Sequence, residues 1–163
     1  TSGRVFDIQF RAWVAAQRHM GFEMDPRELD THEAAALKEV TQWWKDNRNW
    51  LQCADILRLD SADPAIVAEQ QMAEDGSRFV AFAGSMATSN QIAPRPLRLT
   101  NLHGPGTYKI RLLNRNAAPA LSRGSPLLKT EELTVSGTYL MHQGIVLPWA
   151  FPGRMWVIEG ERV

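Results

Sequence analysis

The chain has 163 residues, 44% of them hydrophobic and 22% charged, and its 18 basic and 18 acidic side chains give a formal net charge of zero. That length can bury the core of one domain or one and a half. Nothing approaches the run of roughly 18 apolar residues that a membrane-spanning helix requires.

The start, Thr1-Ser2-Gly3-Arg4, leads straight into an amphipathic pattern, with no signal peptide and no initiator methionine, as expected for a piece of a longer protein. Cys53 is the one cysteine, so no internal disulfide can form; that fits a reducing, cytoplasmic setting. Charge is unevenly placed. No acidic residue occurs between Asp75 and Glu131, while Arg78, Arg95, Arg98, Lys109, Arg111, Arg115, Arg123 and Lys129 fall inside that span. The basic residues are spread out and few aromatics interleave with them. They predict a solvated face, or one meeting acidic surface, rather than a nucleic-acid interface.

In chain order, apolar residues recur at three- and four-residue intervals through Phe6, Phe10, Trp13 and Val14, which predicts a helix from about Arg4 to Arg18. His19-Met20-Gly21-Phe22-Glu23-Met24-Asp25 then alternates. As a strand it would place Met20, Phe22 and Met24 on one face and His19, Glu23 and Asp25 on the other. Pro26 would end it. Asp30 and Glu33 have capping-box spacing, and Leu37, Val40, Trp44 and Leu51 stripe a second helix reaching about Trp50.

Past residue 52 the period drops to two. Strands are predicted over 54–59, 66–73, 78–86, 97–102, 107–113, 133–135, 138–141, 145–147 and 155–159, with hairpin turns at 74–77 and 103–106 and a surface excursion over 114–129. So many short strands without a helix among them argue for an antiparallel sandwich or small barrel.

The familiar catalytic signatures fail. His19, His32, His103 and His142 have no zinc-ligand spacing, Gly104-Pro105-Gly106 is no dinucleotide loop, and Cys53 has nothing nearby in sequence to activate it. Four of the six tryptophans, Trp13, Trp43, Trp44 and Trp50, sit on helices at packing spacings, and Trp156 lies in a core strand; Trp149 is the one that stays open as a sugar contact. The helix–strand–helix of residues 1–51 matches one repeat of an α/β barrel, in which Glu23 and Asp25 would stand at the strand's C-terminal end, by the catalytic mouth. A retaining glycosidase needs two carboxyls about 5 Å apart on opposite sides of the scissile bond. Glu23 and Asp25 rise from the same wall, which favours a structural role as acceptors over a nucleophile–acid pair.

With those residues in view, the segment His19-x-Gly21-x-Glu23-x-Asp25, the helix EAAALKEVTQWWKDNRNWL and the strand pair around AEDGSRFVAFA closely resemble the C-terminal end of bacterial α-galactosidases of glycoside hydrolase family 36. The resemblance implies an α+β fragment: residues 1–51 as the last α–β–α remnant of a (β/α)8 barrel, and 52–163 as an antiparallel β-sandwich. It implies a parent hydrolase of terminal α-galactosides such as melibiose and raffinose sugars, acting with retention, needing no cofactor and forming a homo-oligomer. The family's nucleophile and acid/base lie on earlier barrel strands, so no catalytic residue carries over to this chain. His19, Glu23 and Asp25 remain as barrel-mouth candidates and Trp149 as a possible sugar contact. The rival reading is a non-catalytic carbohydrate-binding or scaffolding module.

Overall fold

Asp7 begins the first helix: its carboxylate accepts from Phe10 N–H at 2.7 Å and so satisfies one of the four donors a helix start leaves open. Helix α1 spans Ile8–Ala16 and buries Ile8, Ala12, Trp13 and Ala16. The structure, a computed structural model, describes residues 5–120, 122 and 124–163; the expected start at Arg4 lies outside them. The chain divides into two units, residues 1–52 and 53–163.

In the first unit the capping box forms as spaced. Asp30 accepts from Glu33 N–H at 2.8 Å and Glu33 accepts from Asp30 N–H at 3.1 Å, opening α2, Thr31–Leu51. Trp13 packs edge-on against Trp43 with ring centroids 5.1 Å apart, and Trp44 Nε1 donates to the carbonyl of Arg18 at 3.1 Å. Two helices therefore hold each other. The strand expected between them is absent: residues 17–25 carry no ladder, and Pro26–Glu28 forms a short 3-10 turn. Alternation makes a strand only where neighbouring backbone supplies hydrogen bonds, and among the described residues this unit holds no strand to supply them. Phe22, assigned above to an apolar strand face, is 41% exposed. Among the described residues this unit shows two helices and a 3-10 turn and no barrel strand.

The second unit is built on an antiparallel sheet of six strands in the order β1-β2-β3-β8-β5-β6. These are β1 Asp55–Leu59, β2 Ile66–Met72, β3 Arg78–Ser85, β5 Thr107–Leu112, β6 Leu133–Ser136 and β8 Arg154–Arg162. A separate two-stranded ladder joins β4, Pro96–Leu97, to β7, Ile145–Val146. The second layer of the expected sandwich is thus mostly loops, turns and a helix. Between the layers lies the core, where Phe79, Ala81 and Ala83 from β3, Tyr108, Ile110 and Leu112 from β5, and Trp156 and Ile158 from β8 meet Leu97, Leu99, Leu127, Leu140, Ile145 and Leu147. The period-two register of β5 is visible in burial: Tyr108, Ile110 and Leu112 are buried, Lys109 and Arg111 exposed.

Two expected strands are something else. Residues 138–141 belong to α3, Gly137–His142, because Ser136 caps Tyr139 N–H at 3.1 Å and starts a helical turn. Beyond Leu97 the segment to Leu102 is not strand, since its backbone bonds elsewhere: Leu99 N–H donates to Leu140 at 3.0 Å, and the side-chain amide of buried Gln70 takes both the N–H and the carbonyl of Thr100.

Three members of the basic block meet acids in or beside the sheet. Arg111 pairs with Glu159 at 2.6 Å, Lys109 with Glu132 at 3.4 Å and Arg78 with Glu161 at 3.7 Å. No described helix is long and apolar enough to cross a membrane.

Candidate functional site

Of the four residues singled out by sequence, the structure leaves two without a described partner. His19 and Glu23 are exposed and make no hydrogen bond or ion pair among the described residues. Asp25 is fully engaged. It caps the 3-10 turn by accepting from Arg27 N–H at 3.0 Å, and its two oxygens take Arg27 Nε at 2.9 and 3.1 Å and Nη2 at 2.6 Å. The Arg27 side chain first, and its backbone N–H second, hold the Asp25 carboxyl below the usual carboxylate range; Asp25 in turn raises the arginine. A lowered carboxyl favours its ionised form, which weakens Asp25 as a proton donor.

Trp149 lies in the second unit, on a cleft built by three loops. The β1–β2 loop brings Ser61 and Asp63, the segment after β3 brings Ser89, Gln91 and Arg95, and the segment after β7 brings Pro148, Trp149 and Ala150. Trp156, almost fully buried, also lines the cleft. The enclosed space is about 30 Å³, room for one or two water molecules and too little for a sugar ring.

A chain of hydrogen bonds fixes these loops together. Asp63, 4% exposed, accepts from Ala65 N–H at 3.0 Å and from Ser89 Oγ at 2.5 Å. Ser89 Oγ accepts from Gln91 N–H at 2.9 Å, and Gln91 Oε1 accepts from Arg95 Nε at 3.1 Å. Trp149 is propped by Phe151, ring centroids 4.6 Å apart and planes at 72°. With both oxygens of Asp63 already bonded, the cleft offers an indole and side-chain donors but no uncommitted carboxylate among its lining residues. Among the described residues no cluster of three or more His, Cys, Asp or Glu could hold a metal ion.

Asp63, Ser89, Gln91 and Arg95 share this cleft with Trp149, and none of the four stands out in the sequence as a site residue. Loop residues carry no periodicity, so only the turn-forming Ser61-Ala62-Asp63-Pro64 run gave a local signal there.

Comparison with known proteins identifies relatives along the whole chain. The family described as glycosyl hydrolase family 36 C-terminal domain matches residues 66–158. An α-galactosidase of Escherichia coli is 26% identical over 165 residues, covering 98% of this chain and 23% of that protein. Among solved structures, the galactosidase domain of the α-galactosidase–sucrose kinase AgaSK superposes with a TM-score of 0.80 at 19% identity, over 100% of this chain and 20% of that one. A variant of the α-galactosidase AgaA from Geobacillus stearothermophilus, in complex with raffinose, does so with a TM-score of 0.78 at 21% identity, over 99% and 20%. Another AgaA variant was captured with stachyose. The chain therefore spans about a fifth to a quarter of the length of these relatives.

Proposed function

Because this chain belongs to glycosyl hydrolase family 36, as its C-terminal domain, we infer that it serves as the C-terminal part of an α-galactosidase. In that reading the parent removes terminal α-galactosyl units from sugars of the melibiose and raffinose type, with retention, in the cytoplasm and as a homo-oligomer. What carries the reading is similarity to α-galactosidases over nearly all of the chain, joined to relatives captured with raffinose and stachyose.

The chain's own part is mechanical support. Retention needs a nucleophile and an acid about 5 Å apart across the scissile bond. The carboxylates this chain holds most firmly already have partners: Asp25 has Arg27, Asp63 has Ser89 and Ala65 N–H, and Glu159 has Arg111. On this reading the isolated chain does not cleave an α-galactoside. His19, Glu23 and Asp25 take substrate-side positions only in the parent, where neighbouring strands can complete the ladder that residues 19–25 lack here.

Proton NMR of the parent enzyme turning over melibiose tests the reading. It expects α-galactose as the first anomer released; β-galactose released first would overturn retention. Within the same parent, Glu23→Gln is expected to raise KM for raffinose, and an unchanged KM would remove Glu23 from the substrate side. Light scattering of the parent tests the oligomer.

A further inference from the structure

We propose that the Trp149 cleft binds the face of a neutral pyranose ring. A pyranose presents a flat patch of C–H groups bordered by hydroxyls. A site for it therefore needs an exposed aromatic face beside hydrogen-bonding groups that are already held in place.

The cleft meets each requirement. Trp149 lines the cleft, is half-buried and packs against Phe151 with ring planes at 72°, so the side chain is held in place while part of its surface stays exposed. Gln91 and Arg95 line the same cleft. Their mutual hydrogen bond uses Arg95 Nε and Gln91 Oε1, which leaves Gln91 Nε2 and both Arg95 Nη atoms without a partner among the described residues. The indole Nε1 of Trp149 has none either. Every uncommitted polar atom of these three side chains is a donor, matched to the lone pairs of ring hydroxyls.

Rigidity is built in from below. Buried Asp63 holds Ser89, and Ser89 holds the backbone of Gln91, so the donor loop is ordered before a ligand arrives and little ordering entropy remains to be lost on binding. The enclosed floor, about 30 Å³, is too small to swallow a ring. A ring must lie flat on the rim, stacked on Trp149, and so binds weakly, with Kd on the order of millimolar. A small anion would use the arginine but would leave the indole face unused. The assignment does not depend on the hydrolytic reading, because binding is measured without turnover and none of these residues belongs to 19–25.

The test is a titration of the 15N-labelled chain with D-galactose, raffinose and, separately, sulfate, following the tryptophan indole signals. Trp149→Phe identifies its own signal by removing it while keeping a ring in place. The expected result is a saturable shift of the Trp149 signal with the sugars, the other indoles staying still. Trp149→Ala and Arg95→Ala should each weaken binding by about tenfold or more. No saturable shift with either sugar overturns the proposal, as does a Trp149 response to sulfate alone.

Discussion

The ring of Phe79 occupies the space that a side chain at Gly160 would need. The two residues are direct cross-strand partners in β3 and β8, and a Cβ built at Gly160 would collide with Phe79 Cε1 and Cζ and press on Ile110 Cγ2 at 3.1 Å. Phe79 is fully buried and tilts against Tyr108 with centroids 5.9 Å apart, so it has nowhere to move. Gly160→Ala is expected to destabilise the second unit by about 1–3 kcal/mol through overpacking. Urea unfolding followed by near-UV circular dichroism measures it, and an unchanged midpoint would show that Phe79 can step aside.

Asn114 extends the sheet by side chain where the β5–β8 ladder stops. Its Nδ2 donates to the carbonyl of Met155 at 2.5 Å and its Oδ1 accepts from Val157 N–H at 3.1 Å, in a position 3% exposed. Asn114→Ala removes the bonds to the Val157 N–H and the Met155 carbonyl, a loss of about 2–6 kcal/mol when each such group costs about 1–3. Asn114→Asp should rescue only the Val157 contact. Equal stability of the alanine variant and the parent sequence in urea would contradict the bonding.

Removing the capping box acts first on the start of α2. Asp30→Ala is expected to cost about 1 kcal/mol, since Glu33 N–H then loses its acceptor at the helix start. Hydrogen exchange locates the loss: amides of residues 31–34 should exchange faster, with the second unit unaffected.

Acid weakens the 25–28 turn in a defined direction. The carboxyl of Asp25 is held below its ordinary range by Arg27, so the folded state binds its proton less readily than the unfolded one. Its contribution is then complete above the ordinary carboxylate value and disappears as pH falls through the lowered folded value. Asp75, lowered by the Ser77 side chain and then by the Ser77 backbone N–H at 2.9 Å, follows the same sign in the β2–β3 turn. Carbon-detected NMR titration of the two carboxyls between neutral pH and about pH 3 checks this. Midpoints at or above ordinary aspartate would refute the Arg27 and Ser77 contacts.

What could be read from sequence was whatever is decided locally. The Asp30–Glu33 box is complete within four residues, the Asp75-Gly76 turn needs only the positive φ of 65° that glycine allows, and the alternation of Tyr108, Ile110 and Leu112 records one buried face. Failures came where the deciding partner is distant. Residues 19–25 alternate as a strand would, but among the described residues this unit has no strand to pair with them. Leu99 and Thr100 look extended, yet their backbone bonds to Leu140 and to the Gln70 side chain. Residues 138–141 are a local exception: a short apolar run reads as strand, but the Ser136 cap on Tyr139 N–H starts a helical turn there. The cleft was half legible: tryptophan announces itself, whereas Asp63 acquires meaning only through Ser89, 26 positions away. Family membership came from motif order along the chain and stands on the comparisons, independent of the strand that did not form.

The most direct test of the account is an assay of the purified 163-residue chain with a chromogenic aryl α-galactoside, beside the full-length parent at equal molarity. Turnover is expected from the parent, and none from the chain above a buffer blank. Turnover that copurifies with the chain and disappears on its removal with a chain-specific antibody would contradict it, because the hydrolytic carboxylates would then lie within these residues.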